Sequence, residues 1–180
     1  MSHPTDRTLS ADLARTIRDV QDFPKPGVLF KDITPVLQDA ALFRRTTEAL
    51  AGAFRNAGVT AVVGIESRGF IFGAPVAQSL GVGFVPIRKP GKLPFECVSE
   101  RYDLEYGSDA LEMHTDALGA GARALLIDDL LATGGTAAAA IRLIERGGAT
   151  VAGVGVVIDL SFLPWRERLA GRTVEALVRF

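Results

Sequence analysis

The chain has 180 residues, enough for one domain with one core, and its 48% hydrophobic and 23% charged residues are those of an ordinary globular protein. A formal net charge of -1 excludes a general affinity for nucleic acid or anionic membrane, so any anionic ligand must be held by local basic residues or backbone amides. Cys97 is the only cysteine, which excludes an intrachain disulfide and suits a reducing cytoplasm. Neither a signal peptide nor a membrane span is expected, because no apolar run approaches the roughly 20 residues a span requires.

Along the chain, Ser10 is placed to cap a helix whose apolar face includes Leu13, Ile17 and Val20, ended by the Pro24 and Pro26 segment. Residues 28–33 read as an extended loop or short strand. A second helix is expected over about 40–57, with Phe43, Thr46, Leu50 and Phe54 at helical spacing and Gly58 as its stop. The pattern then changes to short apolar runs alternating with helices. Strands are expected at 61–65, 83–87, 124–127, 150–158 and 173–180, with helices at 70–80 and 136–146 between them. Strands without polar alternation, separated by helices, predict an α/β fold: a mostly parallel sheet flanked by helices.

Residues 89–113 break this rhythm. The segment is polar, contains Pro90, Gly91, Pro94 and Gly107, and has only weak β patterning. It reads either as a functional lid or as a solvated surface hairpin.

The segment with the strongest chemical signal is Leu125-Leu126-Ile127-Asp128-Asp129-Leu130-Leu131-Ala132-Thr133-Gly134-Gly135-Thr136. A buried strand runs into two carboxylates, then a small Gly-rich turn, then a helix. Backbone amides of residues 132–136 at a helix N-terminus suit a phosphate, Gly134 and Gly135 allow close approach, and Thr133 and Thr136 add hydroxyl donors. Two aspartates beside a phosphate repel it unless a sugar lies between, because carboxylates accept well from vicinal hydroxyls. They also attract Mg²⁺, directly or through water. The pattern therefore reads as a site for a ribose 5-phosphate. A helix cap alone needs far less than paired Asp plus Thr-Gly-Gly-Thr.

Other signatures are missing. The sequence has no Walker G-x-x-x-x-G-K-[ST], no G-x-G-x-x-G after a strand, no G-x-S-x-G elbow and no His/Cys cluster for zinc. His3 and His114 lie far apart and read as surface residues.

The stretch from Ile127 to Thr136 closely resembles the motif by which type I phosphoribosyltransferases bind phosphoribosyl pyrophosphate (PRPP). Leu-Leu-Ala ahead of Thr-Gly-Gly-Thr resembles the adenine-specific branch. Three further blocks agree, in family order: residues 23–35 resemble that branch's base-binding segment, 64–70 its pyrophosphate loop, and 88–94 with 102–107 its catalytic lid. The resemblance implies one domain over 1–180, with an N-terminal hood at about 1–35 and a lid at about 89–113. It also implies transfer from PRPP to N9 of adenine with inversion at ribose C1, Mg²⁺ as cofactor and a homodimer.

By this resemblance Asp128 and Asp129 hold the ribose, and Ala132, Thr133, Gly134, Gly135 and Thr136 take the 5′-phosphate. Glu66, Ser67, Arg68, Lys89 and Lys92 face pyrophosphate. An Arg at a helix N-terminus is also suited to gripping two phosphate oxygens. Phe30 and Leu160 wall the adenine, and backbone groups near Leu29 and Lys31 read its polar edge. The family often has Arg where this chain has Lys31, which leaves only the backbone role there. Glu105 is the implied acid/base, Arg68 a catalytic cation, and Tyr106 closes the site. Rival readings are a transferase for guanine, xanthine or orotate, and a PRPP-sensing regulator. The near-neutral charge and lack of an added DNA-binding segment oppose the regulator.

Overall fold

The computed structural model describes residues 7–103 and 108–180, with side chains described over 8–102 and 109–180. Helix α1 (Arg7–Thr16) is followed by the strands β1 (Arg18–Gln21) and β2 (Leu29–Asp32), then α2 (Thr34–Gln38) and α3 (Ala40–Phe54). Leu9, Leu13 and Ile17 are buried, as one helical stripe should be. Two expectations are corrected here. Ser10 lies inside α1 and is not its cap, and Val20 belongs to β1, where it pairs with Phe30 of β2. Val20 stands at helical spacing from Ile17, but antiparallel pairing with 29–32 overrides that local period. Asp39 caps α3 by accepting from the amides of Ala41 and Leu42, each at 3.0 Å, a contact type worth about 1 kcal/mol. The helix ends at Phe54, short of the expected 57, and Gly58 turns the chain at φ 66°.

The sheet is built from β3 (Ala61–Ile65), β4 (Gly83–Ile87), β7 (Arg123–Leu131), β8 (Thr150–Asp159) and β9 (Val174–Arg179). Its order is β4-β3-β7-β8-β9 and every pairing is parallel. Side chains alternate between two cores. Val63, Leu126 and Val156 face α5 (Gly135–Arg146), whereas Val62, Leu125, Ile127 and Val157 face α1, α3 and α4 (Arg68–Leu80). Each fully buried Leu or Ile in these layers contributes about 1.5–3 kcal/mol. Burial on both faces explains why the strands read as unbroken apolar runs. Among the described residues, no helix is long and apolar enough to cross a membrane.

From β3 the chain moves outward to β4, and from β7 it moves the other way to β8 and β9. The order reverses between β3 and β7. At such a switch point the two loops leaving the carboxyl ends diverge and open a crevice.

The strands β5 (Cys97–Asp103) and β6 (Ser108–His114) pair antiparallel as the two arms of a hairpin. Tyr102, Leu111 and Met113 are buried in the core beneath α5, and Glu100 bonds Arg142 at 2.6 Å and Arg146 at 2.8 Å. One face of the hairpin is therefore packed, not solvated. The short helix α6 (Trp165–Arg168) follows β8. Neither α2 nor α6 was expected, since each is too short to show a helical period.

Gly69, in the first turn of α4, sets how closely that helix approaches β7. A Cβ there would lie 2.8 Å from the Ile127 carbonyl oxygen and 3.1 Å from Asp128 Oδ1. Backbone cannot yield as a flexible side chain does. Gly69→Ala is expected to lower stability by about 1–3 kcal/mol in urea unfolding, outweighing the roughly 1 kcal/mol by which Ala is the better helix former.

Candidate active site

The two loops at the switch point face each other across a cleft of about 420 Å³. One carries Glu66, Ser67 and Arg68 from β3 into α4. The other carries Asp128 and Asp129 on β7, then Ala132, Thr133, Gly134, Gly135 and Thr136 into α5. All of these residues line the cleft, as does Lys89. Residues distant in sequence are thus brought together around one space.

The turn before α5 is shaped for an anion. Gly134 is its N-cap at φ 78°, a left-handed conformation that glycine adopts without penalty. No side chain caps the helix, and its first turn has no acidic residue. The first helical bond runs from the Ala138 amide to the Gly134 carbonyl at 2.9 Å, so the amides before it have no partner along the helix. Unused donors and the positive end of the helix dipole coincide there.

The acidic pair sits at the other side of this turn. Asp128 is half-buried and accepts from the Asp129 amide at 2.9 Å; Asp129 is 3% exposed. Burial, then the neighbouring Asp129 charge, pushes the Asp128 carboxyl well above the usual carboxylate range. Burial also raises Asp129, opposed chiefly by Arg68, whose Nε lies 2.8 Å from Asp129 Oδ2. That ion pair lacks hydrogen-bond geometry, and among the described residues Asp129 Oδ2 is buried without a donor. Asp129 also lines the cleft, and a carboxylate there suits a sugar hydroxyl.

Glu66 lines the cleft with Ser67 and Arg68, and its side chain also joins two segments of the chain. Its side chain takes Lys92 Nζ at 2.6 Å, the Lys89 amide at 3.1 Å and Arg88 Nη2 at 3.4 Å. Burial opposes its ionisation, but these donors prevail and hold it down at about 2. An ionised carboxylate cannot donate to a phosphate, so the side chain ties the base of the 89–113 segment to the loop after β3. Lys92 is held by Glu66 and is not among the residues lining the cleft. Lys89 Nζ lies 2.8 Å from Asp109 Oδ2, and this partner raises the Lys89 pKa.

Leu29, Phe30, Lys31 and Leu160, expected from the sequence to hold the base, are not among the residues lining the cleft. The Arg68 guanidinium stands 5.2 Å over the Phe30 ring, which links β2 to the loop after β3. Leu29 is exposed and Leu160 nearly buried, its amide donating to Leu131 at 3.0 Å. The Lys31 side chain is taken by Asp19 at 2.6 Å and lies over the Phe180 ring at 3.7 Å, leaving only its backbone for a ligand. Glu105 and Tyr106 lie outside the described residues.

Three residues of this neighbourhood were not singled out from sequence. Tyr102 lines the cleft, and its hydroxyl meets Asp109 at 3.4 Å and Thr136. Arg88 and Asp109 hold Glu66 and Lys89. The alternation of Val98, Glu100 and Tyr102 toward the core was a legible signal. The ion pairs had none, because they join positions about 20 residues apart.

Known proteins with this architecture agree with the geometry. The family model described as the phosphoribosyl transferase domain matches residues 33–161. An adenine phosphoribosyltransferase of Nitrosococcus oceani is 59% identical over 93% of this chain and 98% of its own length. The crystal structure of adenine phosphoribosyltransferase from Rhodothermus marinus superposes with a TM-score of 0.92 at 50% identity, covering 97% of this chain and all 100% of that one. That of Saccharomyces cerevisiae, complexed with an imino-altritol bisphosphate and adenine, gives 0.89 at 40% identity, covering 94% and 98%.

The acidic pair carries a stability cost with a definite pH dependence. A carboxyl whose folded pKa is raised loses stability as pH rises from its unfolded value, about 3.9, through the folded one. Asp128→Asn is therefore expected to raise the Tm of the unligated protein at pH 8 by about 2–4 °C, the shift that ~1 kcal/mol produces in a chain of this size. The gap between variant and parent should close toward pH 4, where both positions are neutral, as a thermal melt series will show.

Proposed function

The chain belongs to the adenine phosphoribosyltransferase family, and on that premise we propose that its cleft transfers the phosphoribosyl group of PRPP to N9 of adenine, giving AMP and pyrophosphate. The observation that carries this reading is the acidic pair set directly ahead of an uncapped amide turn at the sheet's switch point. The turn takes the 5′-phosphate. Asp128 and Asp129, both lining the cleft, accept from the ribose hydroxyls. Across the cleft, Arg68 and the amides of the loop after β3 meet the pyrophosphate.

In the reaction the bond from C1 to the pyrophosphate oxygen breaks as the bond from C1 to N9 forms on the opposite face. Positive charge develops on the ribose and negative charge on the leaving group. Two carboxylates beside the sugar favour the first, and Arg68 with Lys89 the second. No covalent enzyme intermediate is required, so catalysis is positioning and charge stabilisation. Adenine sits against Phe30, with Leu160 near its other face; the base gives up one ring proton as N9 bonds to C1, and Glu105, as a carboxylate beside N7, accepts it. The N-terminal segment, described over residues 7–35, serves as the hood over the base. The 89–113 segment, tied at its root by Glu66, is the lid that keeps water from C1.

The donor set fits Mg²⁺. Asp128 and Asp129 are hard oxygen donors beside an uncapped amide turn, and with substrate oxygens and water they would hold the ion. When bound, the ion neutralises charge on the departing pyrophosphate.

A base-by-base assay tests the assignment: with PRPP and Mg²⁺, pyrophosphate release is expected with adenine and not with guanine, xanthine or orotate. Release with none of them overturns it. Glu105→Gln should retain PRPP binding while kcat falls about 10²–10⁴-fold, the usual worth of a positioned acid/base, in steady-state kinetics. Unchanged turnover removes Glu105 from the mechanism.

A further inference from the structure

Asp159 closes β8 and is 1% exposed, yet it is not among the residues lining the cleft. A buried carboxylate is costly unless donors surround it, and here they do. Trp165 Nε1 donates to its Oδ1 at 2.7 Å and Ser161 Oγ to its Oδ2 at 3.0 Å. Arg166 Nη2 and Arg179 Nε stand 3.3 and 3.5 Å from Oδ2. Arg166 also lies over the Trp165 ring, 4.4 Å from its centroid. The indole is thus gripped at its N–H and on one face.

Trp165 in turn stands directly behind the anion turn. A Cβ on Gly134 would meet Trp165 Cβ at 3.1 Å, its Cα at 3.2 Å and its carbonyl oxygen at 3.3 Å. The residue where the turn goes left-handed therefore rests on the start of α6. Misplacing such donors by about 1 Å costs much of what a positioned group contributes.

We propose that Asp159, acting through Trp165, is a positioning residue for the phosphate turn, an inference that rests on reading residues 132–136 as the seat of the 5′-phosphate. The base end depends on it less. Leu160 is held by its own amide bond to Leu131 at 3.0 Å, and the following strand end by Ser161 to Phe180 at 2.9 Å. Losing the Asp159 contact should therefore weaken the sugar-phosphate end selectively.

Trp165 is the only tryptophan, so its emission reports this contact. Ribose 5-phosphate titrated into the full chain is expected to change that emission. In Asp159→Ala the ribose 5-phosphate Kd and the PRPP KM should each rise about tenfold, with kcat and the adenine KM within about threefold. Asp159→Asn keeps an acceptor for the indole and should restore most of the affinity. Trp165→Phe keeps a ring behind Gly134 but has no N–H to donate. It should also raise the PRPP KM, and it serves if Asp159→Ala does not fold. An unchanged PRPP KM in a folded Trp165→Phe or Asp159→Ala overturns the proposal, as does an equal loss at adenine and PRPP. If the parent protein binds no ribose 5-phosphate at all, the phosphate-turn reading itself fails.

Discussion

Two carboxylates stand side by side at the end of a buried strand, and the cleft is arranged around the cost of keeping them there. Asp128 and Asp129 repel one another, and burial disfavours the charge on each. Among the described residues only Arg68 is ion-paired with this acidic pair, through a contact that leaves Asp129 Oδ2 without a donor. A substrate that brings hydroxyl donors and, through its phosphates, a cation relieves this conflict. The folded state therefore holds an unfavourable local arrangement that has its use only when a ligand arrives, as functional sites commonly do.

The cations of the site are already engaged before any ligand binds. Lys92 and Arg88 meet Glu66, Lys89 meets Asp109, and Arg68 meets Asp129. A pyrophosphate that recruits these groups exchanges one set of ion pairs for another. Binding energy is then a difference between two paired states, smaller than a count of charges implies. Glu66 is the centre of this arrangement. It keeps the root of the 89–113 segment attached to the loop after β3, so the segment and the anion loop are mechanically joined.

The fold supplies the rigidity that these placements need. The uncapped turn before α5 and the loop after β3 leave adjacent parallel strands whose register is set by hydrogen bonds and by two apolar cores. Gly69 brings α4 against the end of β7 from one side, and Trp165 supports Gly134 from another. Each loop is therefore fixed from behind by packed atoms, leaving its donors and acceptors facing the cleft.

Much of this was legible in the chain itself. The five sheet strands, the helices α3, α4 and α5, and the strand–acid–glycine–helix pattern follow from local periodicity and from residue chemistry that acts over a few positions. Membership of a phosphoribosyltransferase family was legible for the same reason, since its motifs are contiguous. Three kinds of feature were not. Val20 reads as helical because the strand it pairs with lies ten positions away. The side-chain ties of Glu66 could not be read from its own loop, because Arg88 and Lys92 lie just after β4, 22 and 26 positions further along the chain. Asp159 and Trp165 carry no motif, and their link to Gly134 exists only once α6 packs behind the turn. Patterns within one turn or strand are written in sequence order. Contacts between elements depend on how the chain folds back, and these were decided by the tertiary structure alone.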